Sequence, residues 1–318
     1  MRLVLRLLQG FTAAALMWCA DVGCGGESSP VLKTEHGDVA VFPSDSPWNQ
    51  RVDQLPVHPL SKAYIDSIGE NVGMHPDFGG VYEGTPIGIP FDVVASDQAK
   101  VAVEFDYADE SDRGPYPLFD GVRIEGEPDA DGDRHVILID PQEKKLYELF
   151  YVKRDGDSWK AGSGAIWDLT RNQRRPLGWT SADAAGLPIF PGLVRFDEVG
   201  EAGEINHALR FTCEKTRRAF IPPASHWASD SEDEHLPPMG LRFRLRADYD
   251  VSDLPPQARA VAVALQRYGM ILADNGGNWF ISGAHDNRWN DDDLHALKRI
   301  KGSDLEAVNT GKTVTSLK

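Results

Sequence analysis

The sequence predicts a mainly β domain, a sandwich or barrel with a few short helices, with an α+β arrangement as the alternative. Three observations lead there. Thirty Gly and 21 Pro among 318 residues break the chain into short runs, which favours turns and strands over long helices. Several short runs read as strands, among them 135–139, where His135, Ile137 and Ile139 would share one face, and 205–212, where Ile205, His207, Leu209 and Phe211 would share one. A well-marked helical stripe occurs once, late in the chain, at Val261, Leu265 and Tyr268.

Taken in order, residues 1–23 read as an export signal. Arg2 and Arg6 precede a mostly apolar run that is too short and too early for a spanning helix. Gly23-Cys24 resembles a lipoprotein processing site, although Asp21 stands where Leu is usual. The chain is expected to be exported, either anchored to a membrane by a lipid on Cys24 or secreted free. Residues 24–40 read as a flexible tether, 41–310 as a single globular domain without repeat or linker, and 311–318 as a disordered tail. A short helix is expected over 59–69, with Ser61 as cap, Tyr64, Ile65 and Ile68 on one face and Gly69 as stop.

Strands are expected at 87–94, 101–107, 165–169, 205–212, 219–221 and 241–246. Residues 135–139 and 146–152 should form a hairpin through Asp140-Pro141. A second hairpin is expected from 270–274 and 278–282 around Asn275-Gly276-Gly277. The late helix should start after Asp253, with Pro255-Pro256 in its first turn, and stop at Gly269. Asp291-Asp292-Asp293 suits the start of another helix, where the dipole favours acids.

Composition narrows the function classes. A net charge of −16, from 49 acids and 33 bases, argues against nucleic acid and anionic membrane surfaces as partners. The cysteines are Cys19, Cys24 and Cys213, with no CxxC pair, which argues against a thiolate zinc site and a disulfide framework. No phosphate-cradling glycine loop or dinucleotide fingerprint occurs, so no cofactor is expected.

The stretch 164–212 concentrates aromatic and ionisable residues between Gly and Pro breaks, the setting in which binding and catalytic groups tend to lie. His207 alternates with Ile205, Leu209 and Phe211, so its ring should point inward and need an acidic partner. Asp183, Glu198 and Glu204 are the candidates. A carboxylate–histidine pair is proton-transfer chemistry, and a purely structural pair reads the same way. His207 with Asp183 is the leading catalytic pair, joined by Glu125 and His135 from the neighbouring hairpin. Trp179, Arg195, Trp167 and His226 are the substrate-binding candidates, by stacking and charged hydrogen bonds.

Other patterns carry less. Asp129-Ala130-Asp131-Gly132-Asp133 opens like a calcium loop, but Arg134 stands where such a loop needs Gly, and Asp140 is shorter than the usual closing Glu. Asp131 and Asp133 are therefore weak metal candidates. Glu204 and His207 should diverge on a strand. Ser181 and Ser225-His226 lack the elbow of an acyl-transfer enzyme, and Cys213 should be a buried, inert thiol. Arg242, Arg244 and Arg246 share one strand face and should pair with carboxylates.

His75-Pro76-Asp77-Phe78-Gly79, Gly132-Asp133-Arg134-His135-Val136 and Trp179-Thr180-Ser181-Ala182-Asp183-Ala184-Ala185-Gly186-Leu187-Pro188 carry a resemblance. The chain resembles a widespread family of exported bacterial proteins of unknown function, some fused to fibronectin-like or carbohydrate-binding modules. The resemblance implies a polysaccharide or cell-envelope glycan as partner and supplies no catalytic residue. The leading expectation is thus an exported hydrolase or lyase acting on glycan by carboxylate or histidine acid–base catalysis. The alternatives are a non-catalytic ligand-binding or envelope-structural domain, and a metal-assisted hydrolase using Asp131, Asp133, His135 and His207.

Overall fold

The chain is mainly β because its most apolar runs are short and are covered on both faces. The computed structural model describes residues 28–128 and 132–317, without the side chains of Glu201 and Ala202. The expected export signal, Cys19, Cys24, Asp129 and Asp131 lie outside the described residues. Among the described residues, no helix is long and apolar enough to cross a membrane.

Two open sheets dominate. The first runs in the order Ser163–Asp168, Lys145–Phe150, Val136–Asp140, Phe91–Val93. Its central hairpin is the expected one, and Asp140 Oδ1 closes the turn by accepting from the amides of Gln142 (3.0 Å) and Glu143 (2.8 Å). Alternate residues serve alternate faces. Ile137 and Ile139 pack with Trp167, Ile189 and Phe190. Val136 and Leu138 face Trp159 and Ala161, which belong to a smaller sheet of Lys153–Asp155, Ser158–Ala161 and Val103–Phe105.

The second sheet has six strands in the order Leu305–Val308, Arg242–Leu245, Met270–Asn275, Leu209–Cys213, Phe280–Ser282, His75–Asp77. Here the expected hairpin between 270–274 and 278–282 does not form. Leu209–Cys213 lies between the two runs, parallel to the first and antiparallel to the second. Every residue of that strand is buried, so it belongs at the centre of a sheet covered on both sides. The Asn275-Gly276-Gly277 turn straddles it, with the Gly276 amide bonded to the Cys213 carbonyl.

Among the described residues, three short α-helices accompany the sheets. Ser61–Ile68 buries Tyr64, Ile65 and Ile68 as its spacing predicts, but Ser61 is not its cap. The Ser61 hydroxyl instead accepts from the Ala307 amide at 2.8 Å, tying the helix to the last strand. Pro256–Arg267 packs Ala258, Val261 and Leu265 inward, with no side-chain cap from Asp253. Asp291–His295 is capped by Asn290, which accepts from the amides of Asp292 and Asp293.

Both ends differ from expectation. Within the expected tether, Val31–Leu32 pairs with Val39–Ala40, and Leu32 and Val39 are buried in the cluster that holds Phe190 and Leu193. One buried apolar residue on each arm docks it, while Val31 and Ala40 stay exposed. In the expected tail, Val314 bridges Phe220 through both backbone bonds. Arg242 also departs from its expected pairing. It is buried and donates to the carbonyls of Tyr268, Pro47 and Gln50, each at 2.7 Å. Arg244 and Arg246 do meet carboxylates, on Glu306 and Asp248.

Candidate functional site

Four adjacent strands of the larger sheet place polar residues on one face, with Arg210 at the middle. Arg210 donates from Nε to Asp183 Oδ2 (2.9 Å) and from Nη2 to Asp183 Oδ1 (2.8 Å), a two-pronged ion pair. Its Nη1 donates to Ser282 Oγ at 2.5 Å on the next strand. Asp77 stands in register beside Ser282 on the strand beyond. On the other side Asp274 Oδ2 lies 3.6 Å from Arg210 Nη2.

Asp274 reaches this face through a β-bulge. Phe211 pairs with Leu272, but Thr212 pairs with Asp274, skipping Ala273. Without the extra residue, strand alternation would turn Asp274 to the opposite face.

The loop that brings Asp183 is fixed from below by the four-stranded sheet. Glu148 is fully buried and accepts from the amides of Ile189 (2.9 Å) and Phe190 (2.8 Å) and from Trp167 Nε1 (3.0 Å). Burial pushes its carboxyl up to about 7 against the pull of these donors. Gly186 closes the loop on the Asp183 carbonyl. Its φ is +70°, and a Cβ there would meet Ser225 Oγ and the Trp179 carbonyl, so this turn accepts only glycine.

The Asp183 side chain is wholly buried, whereas that of Asp274 is 24% exposed at one side of an open groove of about 380 Å³. Glu110, Asp133, Phe150, His226 and the half-exposed ring of Tyr107 line the same groove. Burial raises the Asp274 carboxyl to about 7. The Asp183 carboxylate adds to the rise by repulsion and by holding the Asp274 proton in a hydrogen bond, and Arg210 opposes it. Asp183 keeps Arg210 charged despite burial. Asp77 is also raised, by the protein packed around it and by Glu125 and Asp133. Asp274 can therefore deliver a proton near neutrality beside the Asp183–Arg210 ion pair.

The expected catalytic group is thus split. Asp183 is in the site, but its partner is Arg210, not His207. His207 sits before the strand, with Nε2 3.1 Å from Glu198 Oε2 and Nδ1 2.8 Å from the Ala208 carbonyl. Both ring nitrogens face acceptors, so neither is left to serve a ligand. Arg195, expected to bind substrate, is buried against the same Glu198 at 2.8 Å. His207 is buried and meets Glu198, one of its three expected acidic partners, although the strand that was to carry it begins only at Leu209.

His135 and Glu125 do pair, with Nδ1 2.6 Å from Oε2. The other ring nitrogen lies 3.2 Å from the Ala182 carbonyl. Burial opposes charge on His135, yet Glu125 overcomes it and raises the ring to about 9. The pair therefore positions the residue before Asp183 and is not poised to exchange a proton with substrate at neutral pH.

Among the aromatic candidates, Trp167 is buried on Glu148. Trp179 carries the Arg175 guanidinium 5.3 Å from its ring centre. Neither lines the groove, but His226 does, its Nδ1 turned to the Ala184 carbonyl at 2.8 Å.

The remaining expectations resolve simply. The Ser181 hydroxyl donates to the Leu187 carbonyl at 2.6 Å, and that of Ser225 to Trp179 at 3.0 Å, so neither is paired with a base. Burial pushes the Cys213 thiol up to about 12, as an inert thiol requires. Glu204 meets Arg267 at 3.3 Å, away from His207. Among the described residues no three His, Cys, Asp or Glu side chains are grouped closely enough to hold a metal.

Sequence reasoning missed Arg210, Asp274 and Ser282. The signal was a single charge inside an apolar run, Ala208-Leu209-Arg210-Phe211 and Ile271-Leu272-Ala273-Asp274. In a strand covered on both faces such a charge must be paired. No family model, curated protein or solved structure matches the chain, so the site rests on its own geometry.

Proposed function

We propose that the chain is a carbohydrate-active hydrolase or lyase that works by carboxylate acid–base catalysis on an extracellular polysaccharide or cell-envelope glycan. One observation carries this reading. Asp274 keeps its proton to about 7 at the wall of an open groove, beside the buried Asp183 that forms a two-pronged ion pair with Arg210. A neutral carboxyl of that kind protonates a departing sugar oxygen, and its anion recovers a proton from water. Tyr107, 55% exposed beside the groove, supports a sugar as ligand, because an aromatic face stacks on the C–H face of a pyranose.

The test is a screen of the full chain against a polysaccharide and peptidoglycan panel, reading new reducing ends and new unsaturated sugars. Asp274→Asn should lower turnover by about a hundredfold or more, the usual worth of one proton-transfer group. Absence of products from every glycan, or full activity in Asp274→Asn, would overturn the proposal. Saturable binding without products would instead identify a non-catalytic binding domain.

A further inference from the structure

The groove beside Asp274 has a charge pattern that selects among glycans. Glu110, Asp133, Asp183 and Asp274 line it, and neither Lys nor Arg is among its lining residues. The cations behind the wall are buried and already engaged, Arg210 with Asp183, Ser282 and Asp274, Arg175 with Asp112 and the carbonyls of Glu110 and Thr180, and His135 with Glu125. Glu110 is anchored through Oε2, which accepts from the Thr180 amide at 3.0 Å. Asp133 is exposed, and its backbone carbonyl accepts from the Tyr151 amide at 2.8 Å. With neither Lys nor Arg in the lining, desolvating a uronate or phosphate against these carboxylates is costly.

Two further features favour a cation. The chain carries −16 overall, a field that raises the local concentration of positively charged polymers. Tyr107 offers an exposed aromatic face at the groove, which attracts a protonated amine as well as a sugar ring.

We infer that the groove takes a polysaccharide bearing free amino groups, a de-N-acetylated hexosamine polymer, with Glu110 and Asp133 receiving the ammonium groups and Tyr107 stacking on the ring. The inference rests on the glycan reading above but not on catalysis.

Calorimetric titration of the full chain, in low salt at about pH 5.5 where amino sugars are protonated and carboxylates ordinarily ionised, tests it with three probes. These are a β-1,4-glucosamine hexamer, its fully N-acetylated counterpart and a galacturonate hexamer. The glucosamine hexamer should bind about tenfold or more tightly than the acetylated one, and the galacturonate hexamer should not bind. The double variant Glu110→Gln/Asp133→Asn should lose that preference while keeping its melting temperature. Gln retains the acceptor for Thr180, and Asp133 lies at the surface. Equal or tighter binding of either other probe, no binding of the glucosamine hexamer, or a preference that survives the double substitution would overturn the inference. Binding of the glucosamine hexamer without turnover of any glycan would leave the inference standing and remove the catalytic proposal. Turnover of a neutral glycan with no affinity for the amine would do the reverse.

Discussion

Thr212 pairs with Asp274, and this one-residue slip puts the Asp274 carboxyl on the face that carries Arg210. The ionisable groups of the site come from different strands and one loop, yet they meet over a single guanidinium. That arrangement makes their protonation a measurable part of the fold's stability.

Asp274 retains its proton to about 7 in the folded chain, whereas an unfolded aspartate loses it near ~3.9. The folded state therefore binds the extra proton between these values, and its stability declines as pH rises through about 7. Glu148, raised to about 7 as well, acts in the same direction. The melting temperature should fall between pH 5 and 8, and should fall less in Asp274→Asn. An identical slope in the variant would contradict the raised carboxyl.

His135 supplies a second pH effect with a different window. Its folded value of about 9 lies above the usual ~6.5 of histidine. The stabilisation is complete below the unfolded value and is lost as pH rises through about 9. In His135→Gln the wild-type loss of stability between pH 7 and 9 should shrink. Exchange of the Ala185 amide, which binds the Ala273 carbonyl, should quicken as the Ala182 contact goes. Unchanged exchange would deny His135 its positioning role.

Asp183→Asn should cost more than any other conservative change in the groove. It halves the two-pronged acceptor of a buried guanidinium, and removing one partner of a buried ion pair costs about 3–5 kcal/mol. Urea denaturation measures this directly. A loss below about 1 kcal/mol, the ceiling for an exposed pair, would mean that Arg210 finds water in the folded chain.

His207→Gln separates the structural histidine from the site. Its contacts are with Glu198 and Ala208, so the variant should lose about 1–3 kcal/mol of stability, the worth of a buried polar group left short of its partner. Affinity for any glycan should be unaltered. A specific loss of affinity at unchanged stability would return His207 to the site.

Legibility in the sequence varied with the range of the contacts. The faces of Ser61–Ile68 and Pro256–Arg267 and the hairpin around Asp140 are written locally, in helical stripes and a short turn, and they stand in the fold. The insertion of Leu209–Cys213 between two runs that follow it far down the chain has no local mark. Because the bulge opposite Thr212 belongs to that pairing, Asp274 was invisible as a site residue while Asp183, in a loop, was not. The histidines misled for a related reason. Each looked like a proton carrier until the folded chain supplied an acceptor for its second nitrogen.

Glu148 bears on how the molecule yields under stress. It belongs to the four-stranded sheet, yet it grips Ile189 and Phe190 in the same loop that hands Asp183 to Arg210 on the six-stranded sheet. Shear between the two sheets must tear both attachments, since only five residues of chain separate Asp183 from Phe190's neighbour Ile189. Neither sheet can therefore melt while the groove persists, and heat should take the molecule apart in one calorimetric step.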